Sequence, residues 1–318
     1  MLMNNNSVSV IICTYQRKIW VEDLLLSISQ QTVSPLEIII VDSTKVKIDY
    51  ILPKDLEINV IQSSVIQLTY QRNLGVRSSK GEIILHLDDD TFLDKDFIEK
   101  ILEVFENDIE KKIGAISGYV TNQWGKISSI QSPTLKGFKY LGIYDGNFLP
   151  GSISPSGISI ELNTLDPFSG VKQTDFISGC SFAVRSNVYK NYKHPEIING
   201  YGGEDKVFSR MIAIEWELCV CGDAQLEHYS APGAARPNGY IHARSSGIFH
   251  ILMQKKYGII PNSTIRLRIY YFFFSLRMYA IACGMFITIV KLKKSIKWFL
   301  RASGYMAAAL SSADICDE

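Results

Sequence analysis

The chain has 318 residues, 47% of them hydrophobic and 20% charged, enough for one large domain or two modest ones and too apolar for a disordered chain. Thirty-three basic and 32 acidic side chains leave a net charge of +1, so no global field gathers nucleic acid. The six cysteines (Cys13, Cys180, Cys219, Cys221, Cys283, Cys316) include no C-x-x-C pair, and MLMNNNSVSV lacks the basic stretch and apolar core of a signal peptide. A reduced, cytoplasmic setting is expected.

Val8–Cys13 (VSVIIC) is a short, almost wholly apolar run, the pattern of a strand buried on both faces. Val21, Leu24, Leu25 and Ile28 predict a helix from about Trp20 to Gln31. Leu36–Val41 reads as a second strand and Ile58–Ile61 as a weaker third. A helix over Leu68–Ser79 precedes a strand at Glu82–Leu87, and a helix over Phe97–Phe105 leads to a strand at Ala115–Val120. This alternation predicts a parallel sheet with right-handed crossovers. Residues 121–172, rich in Gly, Ser and Pro without sustained period, predict a long, partly ordered excursion. Tyr119 just before it and Trp124, Tyr140 and Tyr144 within it could stack on sugar faces or simply pack. Order resumes at Phe176–Val184, followed by a helix over Asp205–Glu217 and a strand at Leu218–Cys221.

The tail differs. Ile269–Val290 holds 22 residues with one charge, Arg277, long enough to span a ~30 Å hydrocarbon core. A central Arg costs ~2.5–3.5 kcal/mol there. Arg266, Arg268, Lys291, Lys293 and Lys294 on the flanks suit a helix lying in the interface against anionic lipid. The interfacial reading is preferred; packing on the main domain and spanning stay open.

In open parallel sheets, ligands bind beyond the carboxyl ends of the strands. Thr14, Tyr15 and Arg17 follow the first strand, Asp42 and Ser43 the second, and Asp88-Asp89-Asp90 the fourth. Three successive carboxylates repel one another, and burial raises their pKa unless a cation compensates. On an extended chain Asp88 and Asp90 share a face, so two oxygens can meet one divalent ion; Mg²⁺ uses one or two carboxylates plus substrate phosphates. The alternative is an acidic loop opening the helix after Asp94. No G-x-x-x-x-G-K-[ST] occurs and no G-x-G-x-x-G follows the first strand, which removes P-loop and dinucleotide-binding readings. Gly202-Gly203-Glu204-Asp205 places acids at a helix start, either to complement its dipole or as a general base for an incoming hydroxyl. His228 reads as an ordinary packed histidine or as a metal ligand.

In this order, VSVIICTYQR, IIIVDS, QRNLGVRSSKGEIILHLDDD, FISGCSFAVRS and GYGGEDKVFSRM resemble the family 2 inverting glycosyltransferases of the GT-A fold, bacterial polysaccharide type, over roughly residues 7–235. The resemblance implies an α/β, Rossmann-like, mixed and mainly parallel sheet flanked by helices, with a C-terminal helical tail. Residues 1–235 would be the catalytic domain, with a nucleotide-sugar half (1–120) and an acceptor half (121–235); residues 236–318 would be a membrane-associated helical region. It further implies that Thr14, Tyr15, Arg17, Asp42, Arg72 and Asn73 line the nucleotide site and that Asp88 and Asp89 border ribose and diphosphate. Asp90 and His228 would bind Mn²⁺ or Mg²⁺. Asp205 would be the catalytic base with Glu204 assisting, and Gly179, Cys180 and Ser181 would build the acceptor side. The expected partners are a nucleoside-diphosphate sugar (UDP- or dTDP-linked), a glycan or lipid-linked acceptor, and the cytoplasmic face of the inner membrane. Two departures stand out: Ser43-Thr44 replaces the second acid and glycine common after the Asp42 position, and no Q-x-x-R-W occurs, Gln254-Lys255-Lys256-Tyr257 not supplying it. Non-processive transfer is therefore expected. Among rivals, a sugar-phosphate nucleotidyltransferase lacks its glycine-rich opening here; a glycosidase would need two opposed carboxylates without nucleotide; a non-catalytic nucleotide-sugar-binding protein would keep the pocket alone.

Overall fold

A computed structural model describes residues 7–123, 150–153, 159–196, 203–229, 231, 239–257, 263–287 and 292–311. Strand β1 (Val8–Thr14) and helix α1 (Lys18–Ser29) open the chain, followed by β2 (Glu37–Asp42), β3 (Ile58–Gln62), α2 (Leu68–Ser78), β4 (Ile83–Asp88), β5 (Thr91–Leu93), α3 (Phe97–Asn107) and β6 (Ile113–Val120). Then come β7 (Val171–Gln173), β8 (Ser181–Arg185), α4 (Glu204–Ile212) and β9 (Glu217–His228), and last α5 (Gly239–Tyr257), α6 (Ser263–Ile287) and α7 (Leu292–Leu310). The strands form one sheet in the order β3-β2-β1-β4-β8-β6-β9-β5, with β7 on β9.

The expected alternation builds the first half. Every residue of β1 and β2 is buried, and β3, β2, β1 and β4 are parallel throughout. One face of β1 packs Val10 and Ile12 against Leu24 and Leu25 of α1; the other packs Ile11 with Leu68 and Leu74 of α2. Gly75 lets α2 approach, because a Cβ there would stand 2.6 Å from Ile11 Cγ2.

Beyond β4 the parallel expectation gives way. β8 runs antiparallel to both β4 and β6, and β5 and β7 run antiparallel to β9; only β6 and β9 pair in parallel there. An antiparallel neighbour needs no right-handed helical crossover, and β8 pairs in that sense with both β4 and β6. Two predicted boundaries also move: α4 stops at Ile212, and β9 runs from Glu217 to His228. Its second half gains strand character from pairing with β5 and β6, which local pattern does not reveal. Tyr119 is fully buried and donates its hydroxyl to the Leu165 carbonyl at 2.8 Å, so it packs; Trp124, Tyr140 and Tyr144 lie outside the described residues.

The tail helices pack together. Ser295 Oγ donates to the Ala282 carbonyl (2.7 Å), Tyr279 to Ser303 (2.9 Å), and Tyr271 stacks on Tyr305 at 5.1 Å, so α6 and α7 run antiparallel. α7 also packs on α5, and α5 on α4. Among the described residues, no helix is long and apolar enough to cross a membrane.

Behind β4 and β8, Tyr189 Oη lies 2.7 Å from His86 Nε2 and 3.2 Å from His194 Nε2, among Phe182 and Phe208. Burial, with His86 and Arg72 adding to it, holds the His194 imidazole well below its ordinary range. The unfolded chain therefore protonates this group first, and stability present above about pH 6.5 is lost as pH falls. His194→Gln should remove about 1.4 kcal/mol of the stability lost between pH 7.5 and 5.5, read by urea denaturation at both pH values. An identical pH dependence in both proteins would refute this assignment.

Candidate active site

β4 delivers Asp88 at the carboxyl edge of the sheet, Asp89 and Asp90 turn the chain, and β5 begins at Thr91. β5 lies on β9 in a register that sets Thr91 opposite His228, which returns the imidazole to the acids. His228 Nε2 stands 3.2 Å from Asp90 Oδ1 and 4.0 Å from Asp88 Oδ2. One ligand atom from each of Asp88, Asp90 and His228 falls within 4.8 Å of the others. Asp88 and Asp90 do approach the same imidazole, through a turn at Asp89 and Asp90 and not through the extended chain that was expected.

Asp89 points elsewhere. Thr14 Oγ1 donates to it at 2.7 Å and Arg17 Nη1 at 2.6 Å. Arg17 returns to the cluster through Gln16, whose φ of +56° is left-handed and whose amide donates to Thr44 Oγ1 at 2.8 Å. A non-glycine residue held there stores backbone strain, and such strain gathers at functional sites. Arg17 also lies 3.4 Å from Asp90 and donates to the Ala231 carbonyl at 2.7 Å, while the Ala231 amide donates to Asp90 Oδ2 at 2.6 Å.

Burial pushes the Asp89 carboxyl up to about 6, against the pull of Arg17 and Thr14. Burial likewise raises Asp88, with Arg72 opposing. Burial acts on Asp90 too, but His228, the Ala231 amide and Arg17 outweigh it and hold Asp90 below its ordinary value. Burial disfavours the His228 imidazolium, yet Asp90, Cys180 and Asp88 raise it to about 11. The negative site has thus gathered the cations within reach.

The second set of acids sits at the start of α4. Gly203 caps it at φ +94°, a left-handed conformation that glycine adopts without steric cost, and Glu204 and Asp205 fill the first turn, where the helix dipole favours negative charge. Arg72, from α2, lies beneath them. Its Nη2 donates to the Gly179 carbonyl (2.6 Å) and to Asp88 Oδ1 (3.3 Å), its Nη1 stands 3.6 Å from Glu204 Oε1, and its guanidinium covers the Phe182 ring at 5.1 Å. The Asp88 amide donates to the Cys180 carbonyl at 2.9 Å. A Cβ on Gly179 would come within 3.2 Å of Asp205 Oδ2. One buried guanidinium therefore joins the end of β4, the 179–180 turn and the start of α4. Burial and Asp205 raise Glu204, against Arg72.

Glu161 belongs to this set and was not anticipated. Asn163 donates to it at 3.2 Å and Ser178 at 3.4 Å, and burial together with Asp205 raises its carboxyl. It lies in the aperiodic excursion, where the one local signal is an acid between the buried Ile160 and Leu162.

Other predicted residues are placed differently. Asp42, buried at the end of β2, accepts the Thr44 amide and the Tyr50 hydroxyl, both at 2.8 Å. The Asn73 amide donates to the His194 carbonyl (2.9 Å) and Glu196 Oε1 (2.7 Å) and accepts the His194 amide (2.9 Å), so it anchors the 194–196 segment. Cys180 is buried, and Ser181 lies inside β8 opposite Leu87; of the three expected acceptor-side residues, Gly179 alone borders Asp205. Tyr15 is half-buried between Thr14 and Gln16.

A mixed sheet with this acidic crevice at its edge is the GT-A fold. The structure is similar to the mannosyltransferase PcManGT of Pyrobaculum calidifontis, solved with GDP-Man and Mn²⁺ (TM-score 0.56, 14% identity, 96% of this chain and 87% of that one). It is also similar to Staphylococcus aureus TarS 1-349 with UDP-GlcNAc (TM-score 0.53, 14% identity, 95% and 81%). The model of glycosyl transferase family 2 matches residues 9–192, and the chain belongs to that family. Curated relatives include an uncharacterized glycosyltransferase of Haemophilus influenzae, 39% identical over 100 residues (31% of this chain, 34% of that one). Another is the glucosyl-dolichyl phosphate glucuronosyltransferase of Haloferax volcanii, 27% identical over 124 residues (37% and 39%). The chain spans about a third of the length of these two.

Arg72→Met should leave Asp88 and Glu204 without their shared cation and cost about 3 kcal/mol of stability, with Arg72→Lys intermediate because it keeps the charge and loses the forked geometry. Denaturant midpoints measure both; a Met variant as stable as the parent would show that the guanidinium does not bind the three segments together.

Proposed function

We propose that the protein moves a sugar from a nucleoside-diphosphate donor, UDP- or dTDP-linked, to a hydroxyl of a glycan or lipid-linked acceptor, non-processively and with inversion. The observation that carries this reading is the connection, through Arg72, of the Asp88–Asp90–His228 cluster to the acids opening α4. Family membership and neighbours holding GDP-Man with Mn²⁺ and UDP-GlcNAc support the donor class.

Two carboxylates and one imidazole suit Mn²⁺, and the carboxylates suit Mg²⁺, so Asp88, Asp90 and His228 are the proposed ligands. A divalent ion bound there supplies Lewis-acid neutralisation of the departing diphosphate. The chain's own residues do the rest. Thr14 and Arg17 fix Asp89 and the nucleotide edge of the crevice, with Tyr15 and Asp42 in the surrounding wall. Asp205 takes the proton of the acceptor hydroxyl as it attacks the anomeric carbon opposite the leaving group. Glu204, tethered by Arg72, keeps the start of α4 in place, and Gly179 leaves room beside the Asp205 carboxylate for the incoming hydroxyl. The reaction is proposed to take place at the cytoplasmic face of a membrane.

Nucleotide release from a panel of nucleotide sugars, with and without Mn²⁺, tests the reading. With the active donor, Asp205→Asn should lower kcat by about 10²–10⁴-fold while donor binding stays within a few-fold. Asp90→Ala should abolish the Mn²⁺-dependent part of donor binding in calorimetry. Full activity in Asp205→Asn would transfer the base role to Glu204 or Glu161. Failure of every nucleoside diphosphate to bind with Mn²⁺ at millimolar concentration would overturn the proposal.

A further inference from the structure

Between Tyr229 and Ala313 the sequence holds twelve Lys and Arg and no Asp or Glu. Because the whole chain is only +1, the remainder is acidic by eleven charges. The two signs of charge are thus segregated along the chain, and ten of the twelve basic residues lie on α5, α6 and α7.

Helix α6 shows what that basic region is built around. Leu267, Tyr271, Ser275, Met278 and Ala282, at spacings of 4, 4, 3 and 4, form its buried stripe against the neighbouring helices. Ile265, Ile269, Phe272 and Leu276, at spacings of 4, 3 and 4, lie on the opposite side and are exposed (58% for Ile265, 37% for Phe272); Ala280 and Cys283 extend the same exposed line. A helix with apolar residues on both faces, one of them open, belongs in contact with something apolar.

The exposed line continues onto α7. Tyr279, next to Leu276 on the helix, meets Phe299 at a ring separation of 5.0 Å, and Ile296, Phe299 and Leu300 are exposed. Adjoining them on the same helix, Lys294, Lys297 and Arg301 form an exposed row at spacings of 3 and 4. An apolar strip bordered by cations and free of acids has the make-up of a helix pair lying in the headgroup region of an anionic bilayer.

We infer that the exposed face of α6 and α7, from Ile265 through Leu276 to Phe299, is the surface by which the protein docks on an anionic lipid bilayer. This rests on the proposed membrane setting and gives it a face, a depth and a lipid requirement. The apolar residues enter the acyl boundary, while Lys294, Lys297 and Arg301 sit at headgroup level. Because α7 packs on α5 and α5 on α4, the docked face is tied to the helix that carries Asp205, and the acceptor side of the crevice is linked to the lipid.

The test is co-flotation of the full chain, without donor or acceptor, with vesicles of phosphatidylcholine alone or containing 30 mol% phosphatidylglycerol. Binding is expected to the anionic vesicles and to weaken steeply between 0.1 and 0.5 M NaCl. Phe272→Ser with Leu276→Ser should weaken it at least about tenfold, and Lys294→Glu with Lys297→Glu and Arg301→Glu should erase the preference for anionic lipid. Ile109→Ser, an exposed position (90%) outside the tail, should change nothing. Binding of nucleoside diphosphate with Mn²⁺ to the same variants reads the catalytic proposal separately and should be unaltered. Failure of the parent to float with either vesicle overturns the inference. So does a dimer, seen by sedimentation equilibrium, that Phe272→Ser with Leu276→Ser disrupts while flotation is unchanged; the face would then belong to a second copy.

Discussion

Crowding three consecutive carboxylates where β4 ends, Asp89 and Asp90 buried and Asp88 half-buried, costs free energy unless positive groups come to them, and the chain brings those groups from three directions. Arg17 returns from the β1–α1 loop, Arg72 rises from α2, and His228 arrives at the end of β9, about 140 residues later in the chain. Each has a different nearest acid: Asp89 takes Arg17 and Thr14, Asp88 takes Arg72, and Asp90 takes His228 and the Ala231 amide. This division is what allows Asp88 and Asp90 to present oxygens on one side while Asp89 locks the turn from the other. Fold and site are therefore one problem, since the elements that neutralise the acids are the elements that enclose the crevice.

The change of strand direction at β4 serves the same end. On one side β1 and β2 follow the parallel rule and end at Thr14 and Asp42. On the other, antiparallel β8 starts beside the end of β4, which places Gly179 and Cys180 against Asp88 and lets Arg72 span from there to α4. A fully parallel sheet would have put the amino end of β8 at the opposite edge, far from the acids. The switch also explains why β5, only three residues long, matters: its register on β9 is what carries His228 to Asp90.

Much of this was legible in the sequence, and for physical reasons. Buried parallel strands are continuous apolar runs, so VSVIIC and LEIIIV announced themselves, and an acidic triplet directly after such a run has few structural uses. The pairing of Asp88 with Asp90 was also expected, although a turn at Asp89 and Asp90 produces it rather than extended chain. What stayed hidden depends on partners remote in the chain. β5 and β7 are strands only because β9 pairs with them, Glu161 matters only because Asp205 lies beside it, and Ser181 was expected on the acceptor side although the register with Leu87 turns it inward. Asn73 shows the same limit: its neighbours Arg72 and Gly75 face the site and the sheet, while its own amide holds the backbone of His194. Adjacent residues on a helix point 100° apart, so proximity in a motif does not carry one role to all its members.

Arg72 deserves a consequence of its own. Because a single guanidinium, nearly sealed from water, touches both Asp88 and Glu204, the charge state of the acid cluster and the position of the helix bearing Asp205 are not independent. Neutralising Asp88 with a cation would weaken its claim on Arg72 and strengthen that of Glu204, in a medium of low dielectric where such competition is not screened. Arg72 thus couples the charge of the acid cluster to the start of the helix that bears Asp205.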